Sequence, residues 1–322
     1  MKHTLLRGLG ATLLASTLLV GAVHAQSVKV SVTAIVEHPA LDATRDGVRD
    51  ALAEAGYKDG ENLIFTYESA QGSPATAAQI ARQFVGEEPD VIVPISTPSA
   101  QAMAAATSDI AIVFTAVTDP LGAQLVSNMD KPGANITGLS DMSPVAEHIA
   151  LVQEVIPSLK TLGVIYNPGE ANSVSLVSAL KVEAEKAGVV IKESTSIKSA
   201  DVQQAARALV GKVDAIYIPT DNTVISALEA VIAVGEQNNL PIFTGDTDSV
   251  ARGAVASVGF NYYDIGKQTG AVVVRILKGE KPGDISVLIA SGTDLVVNPG
   301  AAARMGITLP EALVARANKI IE

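Results

Sequence analysis

The chain has 322 residues, enough for two domains of ordinary size. Hydrophobic residues make up 48% of it but aromatic ones only 3%, with no Trp, so its cores are built from Val, Ile, Leu and Ala, as in parallel sheets covered on both faces. A net charge of −11 excludes a basic nucleic-acid surface, and a chain without Cys has no disulfide, thiolate metal site or Cys nucleophile.

Lys2, His3 and Arg7 precede an apolar stretch over residues 9–23, and Val23-His24-Ala25 sets small residues at −3 and −1 before Gln26. This pattern predicts a cleaved secretory signal peptide over residues 1–25 and an exported, soluble, acidic product. No membrane anchor is expected, because the apolar run is shorter than the roughly 20 residues that span a bilayer. Strands then alternate with helices. Strands are predicted over 28–36, 63–67, 90–95 and 110–115, with helices over 39–55, 75–85 and 98–108 between them. The second half repeats the theme, with strands over 161–166, 189–194, 215–219 and 241–243 and helices over 172–187, 200–210 and 223–237. A strand over 254–258, a helix over 262–277 and a C-terminal helix over 310–321 complete the reading. Such alternation predicts an α/β fold of two doubly wound, Rossmann-like parallel-sheet lobes.

Three segments can carry the chain between lobes: Lys131-Pro132-Gly133 leading into 135–141, residues 244–247, and Gly279 to Asp284 ahead of 287–297. Three crossings make a hinge, with one lobe over 26–139 and 247–284 and the other over 140–246 and 285–322. Ligands of open α/β sheets bind beyond the carboxyl ends of the strands. Those ends carry Glu37-His38-Pro39, Ser96-Thr97-Pro98-Ser99, Thr118-Asp119-Pro120, Thr220-Asp221-Asn222 and Gly245-Asp246-Thr247-Asp248. Pro98 suits the first position of a helix, which makes Thr97 its N-cap and turns free N–H groups toward the cleft, a receptor for a carboxylate or phosphate. The alternative for each triplet is a plain helix cap. His148, on a predicted helix with no metal-spaced partner, is expected on the surface, and Tyr262-Tyr263 in lobe packing. There is no G-x-S-x-G, P-loop or H-E-x-x-H pattern, so binding is a better reading than catalysis, and no cofactor or metal is implied.

The ordered set Val36 to Asp42, Thr97-Pro98, Thr118-Asp119-Pro120-Leu121-Gly122, Asn135-Ile136-Thr137-Gly138 and Pro219 to Thr223 resembles a known family over nearly the whole chain. It is the ABC-transporter substrate-binding family of the TrpX-like, tryptophan-binding type. The resemblance implies the type I periplasmic-binding-protein fold, with two lobes and three hinge strands. It also implies capture of a small ligand, an amino acid or related carboxylate and in some members an aromatic amino acid, by a monomer that serves an ABC permease. It puts Thr97 and Ser99 on the ligand carboxylate with Thr118 close by, and Asp221 on an α-ammonium beside Asn222. The candidate ligand-binding residues are then Glu37, His38, Ser96, Thr97, Ser99, Thr118, Asp119, Asp221, Asn222 and Asp246. Phe114, Tyr166, Phe243 and Tyr262 are the candidate ring contacts. The acidic run at Asp246 and Asp248 departs from the tryptophan-binding members and favours a further cationic or hydrogen-bonding group on the ligand. A ligand sensor that docks a receptor, or a secreted α/β enzyme, are the alternatives.

Overall fold

The computed structural model describes residues 27–322, so the expected signal peptide lies outside the described residues. The first half runs β1 (Val28–Ala34), α1 (Pro39–Glu54), β2 (Leu63–Ser69), α2 (Pro74–Glu87), β3 (Val91–Ile95), α3 (Thr97–Ala106), β4 (Ala111–Val117) and β5 (Ile136–Ser140). It continues through α4 (Val145–Val155), β6 (Thr161–Tyr166), α5 (Ala171–Lys186), β7 (Val190–Thr195), α6 (Val202–Arg207), β8 (Ala215–Ile218), α7 (Asn222–Ile225) and α8 (Leu228–Asn238). Next come β9 (Ile242–Thr244), α9 (Asp248–Ala251), β10 (Ala256–Gly259), α10 (Tyr262–Leu277) and β11 (Leu288–Ile289). The chain closes with β12 (Asp294–Val297), α11 (Pro299–Arg304), α12 (Glu311–Ala315) and β13 (Lys319–Ile320).

Six parallel strands form one sheet in the order β11-β5-β4-β3-β1-β2, and four more form a second in the order β7-β6-β8-β9. Every residue of β3 and β8 is buried, as the Val- and Ile-rich runs require of strands covered on both faces. A small third sheet pairs β10 antiparallel to β12 and β12 parallel to β13.

Two hydrophobic cores follow. Val30, Ile95, Phe114 and Leu139 share the first with Phe260, Val273, Ile285 and Val287. Ile149, Leu162, Tyr217 and Phe243 share the second with Ala256, Val297 and Leu313. The chain therefore passes between cores after β5, between Ala256 and Phe260, and between Ala290 and Leu295. The last two passages come later than the boundaries expected at 247 and 285. Val255 N–H donates to Ile242 O and so keeps its segment on the second sheet. Thr137 Oγ1 donates to Ile285 O, and Val287 N–H to Met129 O, which keep theirs on the first.

Two predicted helices are corrected. The helix expected over 223–237 is two, broken at Ser226 and Ala227, where Ser226 Oγ bonds back to Thr223 O. The C-terminal helix ends at Ala315, because Asn318 and Ile321 N–H groups pair instead with Leu295 and Val297 carbonyls on the edge of β12.

The helix pair α1 and α10 positions the site. Gly47, Gly266 and Gly270 let the two backbones touch: a Cβ on Gly266 would stand 2.1 Å from Thr44 O, and one on Gly47 2.2 Å from Tyr263 O. The contacts rise together along both helices, so their N-termini, at His38 and Tyr262, emerge on the same end of the first core.

Candidate ligand-binding site

The carboxyl ends of the two parallel sheets meet around a narrow cavity. His38, Ala40, Leu41, Ser96, Ala116, Thr118 and Asp141 line it from the first half of the chain. Asn172, Thr220, Asn222, Ile225 and Asp246 line it from the second, and Tyr262 comes from just beyond the middle passage.

The start of α3 forms one part of the wall. Ser96, not Thr97, is the N-cap, and its side chain caps nothing; Thr97 and Pro98 are the first two helical residues. The first bond into the helix is Ala100 N–H to Ser96 O, so the Thr97 and Ser99 N–H groups have no intrahelical acceptor. The hydroxyls of Ser96, Thr97 and Ser99 are all buried without a protein partner. Ser96 holds φ +79° and Ala116 φ +50°, conformations that cost a non-glycine residue about 1–3 kcal/mol. Ala116 sits at an irregularity between Phe114 and Val117 that turns the end of β4 toward the cavity. Two strained residues in one wall mark a shape imposed by more than local stability.

A second part of the wall accepts hydrogen bonds. Asp141 is buried at the end of β5, with Tyr262 Oη donating to its Oδ2 at 2.8 Å and its Oδ1 unpartnered. Burial pushes its carboxyl up to about 6, opposed by the Tyr262 and Thr118 hydroxyls. Asn172 spends its Nδ2 on Thr220 O at 3.0 Å and Glu170 Oε2 at 3.3 Å, which leaves Oδ1 buried and unpartnered. The Thr220 hydroxyl is likewise buried without a partner.

His38 and Asp246 close the remaining side. His38 stands at the N-cap of α1 but makes no capping bond, and its Nδ1 is buried without a partner. Burial pushes the imidazole down to about 3, with the Arg252 charge lowering it further and Asn222 opposing, so it is neutral at pH 7. Asp246 accepts from Ser249 N–H at 2.8 Å and Ser249 Oγ at 2.6 Å, and burial raises its carboxyl while Arg252 restrains it.

Residues 29–321 match the model of the ABC transporter substrate binding protein family. The chain belongs to that family. It is 40% identical over 269 residues to a tyrosine-binding protein of Clostridioides difficile (strain R20291), covering 84% of this chain and 78% of the relative. A crystal structure of a conserved domain protein from Vibrio cholerae O1 biovar eltor superposes with a TM-score of 0.90 at 55% identity, over 92% of this chain and 100% of that one. An ABC domain from Streptococcus pneumonia in complex with L-Trp gives 0.89 at 36% identity, with the same two coverages. The resemblance read from the motifs and the α/β fold with its two parallel-sheet lobes are therefore borne out.

Within this substrate-binding fold, the expected site residues separate. His38, Ser96, Thr118, Asn222 and Asp246 line the cavity, and Thr97 and Ser99 stand in the adjoining helical turn. Asp221 does not line it. Its Oδ2 accepts from Asn167 N–H and Ser173 Oγ, both at 2.6 Å, and its Oδ1 from Val224 N–H at 2.8 Å. It ties the loop after β6 to α7, and burial beside Glu170 pushes its carboxyl up to about 7. Glu37 is exposed and outside the wall. Asp119 lies at the rim, where Oδ1 accepts from Gly122 N–H and Oδ2 from Ser175 Oγ at 3.1 Å on α5, a bridge between the two halves. His148 is buried, not on the surface: its Nε2 donates to Val258 O at 2.7 Å, which leaves Nδ1 to accept from Tyr217 Oη at 2.6 Å. Of the four candidate rings only Tyr262 reaches the wall; Phe114 and Phe243 are core residues, and Tyr166 donates to Glu193. Sequence reasoning did not single out Asp141, Asn172 or Thr220, which also line the cavity. Asp141 directly follows the last residue of β5 and so carries the strand-end signal, whereas Asn172 lies within α5, six residues beyond the end of β6.

Proposed function

We propose that this protein captures a zwitterionic amino acid, with an aromatic side chain, between its two lobes and delivers it to an ABC permease. The observation that carries the reading is the division of the cavity's unpartnered polar groups. Hydroxyls and free N–H groups gather at the start of α3, where a carboxylate gains charge-assisted bonds of about 1.5–3 kcal/mol each. Asp141 Oδ1 and Asn172 Oδ1 supply acceptors for an ammonium group. Leu41, Ala40, Ala116 and Ile225 give the cavity an apolar wall against which a side chain would lie. The tyrosine- and tryptophan-binding relatives support the aromatic class.

In this reading the two cores are lobes that close about the three passages, and the ligand stabilises the closed form. The site binds without turnover, because no nucleophile with an activating base lines the cavity among the described residues. The protein acts as a periplasmic monomer after signal-peptide removal; no described helix is long and apolar enough to cross a membrane. Native mass spectrometry of protein purified without denaturation should reveal a retained amino acid. Calorimetry should then give at least tenfold weaker binding of its carboxamide, a loss of about 1.4 kcal/mol. Equal affinity for acid and amide, or no binding across the standard amino acids, would overturn the reading.

A further inference from the structure

Glu170 lines no part of the ligand cavity, but it holds two residues that do, Asn172 and Asn222. It is buried, stands at the N-cap of α5 and makes no capping bond there. Its carboxylate turns to α7 instead. Oε2 accepts from Asn222 N–H at 3.1 Å, Asn222 Nδ2 at 2.6 Å and Asn172 Nδ2 at 3.3 Å. Oε1 accepts from Thr223 N–H at 3.0 Å and Thr223 Oγ1 at 2.7 Å. All these donors are neutral groups, and the buried Asp221 carboxyl stands close enough to feel its charge. A buried charge with no cation and an acid beside it is a costly way to anchor a loop.

The hydrogen-bond polarity of this cluster starts from backbone donors, which cannot reverse. Gly169 N–H donates to Asn167 Oδ1 at 2.9 Å, so Asn167 Nδ2 faces the Thr223 hydroxyl at 2.9 Å. That hydroxyl points its own proton at Glu170 Oε1. Each carboxylate oxygen also accepts from a backbone N–H of α7, so Glu170 has only acceptors to offer the asparagines. It takes the NH2 end of each amide, and oxygen is the end that remains for the cavity wall. Thr220 O, which accepts from Asn172 Nδ2 at 3.0 Å, fixes Asn172 a second time, whereas Asn222 Nδ2 has Glu170 alone.

Resting on the amino-acid reading, we propose that Glu170 is a positioning residue that holds the NH2 groups of Asn172 and Asn222, so that both amide oxygens face the ligand's ammonium group. It acts on the ligand only through these two amides. Without it the Asn222 amide is free to turn and present a donor, which repels an ammonium group and suits a ligand that lacks one.

Calorimetry on the full protein tests this with L-tyrosine and L-tryptophan, each set against the same acid lacking the ammonium group, hydroxyphenylpropionate and indolepropionate. The native protein should bind the better amino acid at least tenfold more tightly than its deaminated counterpart. In Glu170→Leu that ratio should fall at least threefold, with the deaminated acid held within threefold of its native affinity. Glu170→Gln should keep the ratio within threefold of the native one. Three donors meet at Oε2 and two at Oε1, so the single carbonyl oxygen of the Gln side chain takes the Oε2 position and both asparagines keep their orientation. Should Glu170→Leu fail to fold, heteronuclear spectra of the native protein with amino acid bound still decide, since the Asn222 side-chain NH2 should show coupling across its hydrogen bond to the Glu170 carboxylate carbon. A fall of less than threefold in Glu170→Leu, equal losses for both acids, a fall of more than threefold in Glu170→Gln, or absence of that coupling would overturn the assignment to Glu170 and leave the amino-acid reading standing. A native ratio below tenfold, or no binding of any of these acids, would overturn the amino-acid reading and this assignment with it.

Discussion

Asp141 and Asp221 are both fully buried carboxylates, yet only one of them has an oxygen to spare. All three bonds to Asp221 come from the protein itself, whereas Asp141 keeps Oδ1 free in the cavity wall. Asp141→Asn should therefore weaken ligand binding by about 2–5 kcal/mol, as for a truncated buried charge pair, with little change in unfolding midpoint. Asp221→Ala strands three donors and should lower stability by about 2 kcal/mol or more while the folded fraction binds normally. Calorimetry and urea melts on both variants check the contrast, and a reversed pattern would return the ammonium to Asp221. His148 gives a pH-dependent counterpart. Burial lowers its imidazole from 6.5 to about 4, so the unfolded chain takes up a proton there before the folded one does. Its neutral contacts with Tyr217 and Val258 stabilise the fold fully above pH 6.5 and lose that contribution as pH falls toward 4, at up to about 1.4 kcal/mol per pH unit. In His148→Gln the stability gap from the native protein should narrow over that interval. A gap that stays constant from pH 7 to pH 4.5 would mean that His148 already shares its proton in the folded state.

At the level of elements, α1 and α10 bring His38 and Tyr262 to one end of the cavity, and glycine makes their approach possible. Gly266→Ala forces a methyl group against Thr44 O and should destabilise the protein by about 1–3 kcal/mol. Ligand affinity should fall with it if the separation of the two N-termini shifts, and urea melts paired with calorimetry measure both effects. Much of this level was legible in the sequence. The Val- and Ile-rich runs marked the strands, and Pro39 and Pro98 marked helix starts within one residue. Several features were hidden for physical reasons. The N-cap fell on Ser96 because its backbone takes a left-handed φ, which no residue pattern announces. Asp221 was misread because residues 220–222 alternate, with Thr220 and Asn222 toward the cavity and Asp221 turned back into the fold. The C-terminal strand β13 is set by backbone pairing to β12, with both its residues exposed, so hydrophobic periodicity carried no trace of it.

For the whole molecule, two cores joined by three passages predict a closure that small-angle scattering detects as a fall in radius of gyration on adding the identified amino acid. Curves that coincide with and without saturating ligand would rule out the hinge. Opening separates Ser175 from Asp119 at the rim and exposes the cavity wall to water. Closing without ligand has a different consequence. His38 Nδ1, Ser96 Oγ, Asp141 Oδ1, Asn172 Oδ1 and Thr220 Oγ1 would each be taken from water and given nothing in return. At about 1–3 kcal/mol for each stranded group, empty closure costs on the order of 5 kcal/mol or more, which is several thousandfold in population. The polar wall thus works as a proofreader: a permease that recognises the closed shape meets few false alarms, because the unloaded protein seldom assumes the posture of the loaded one.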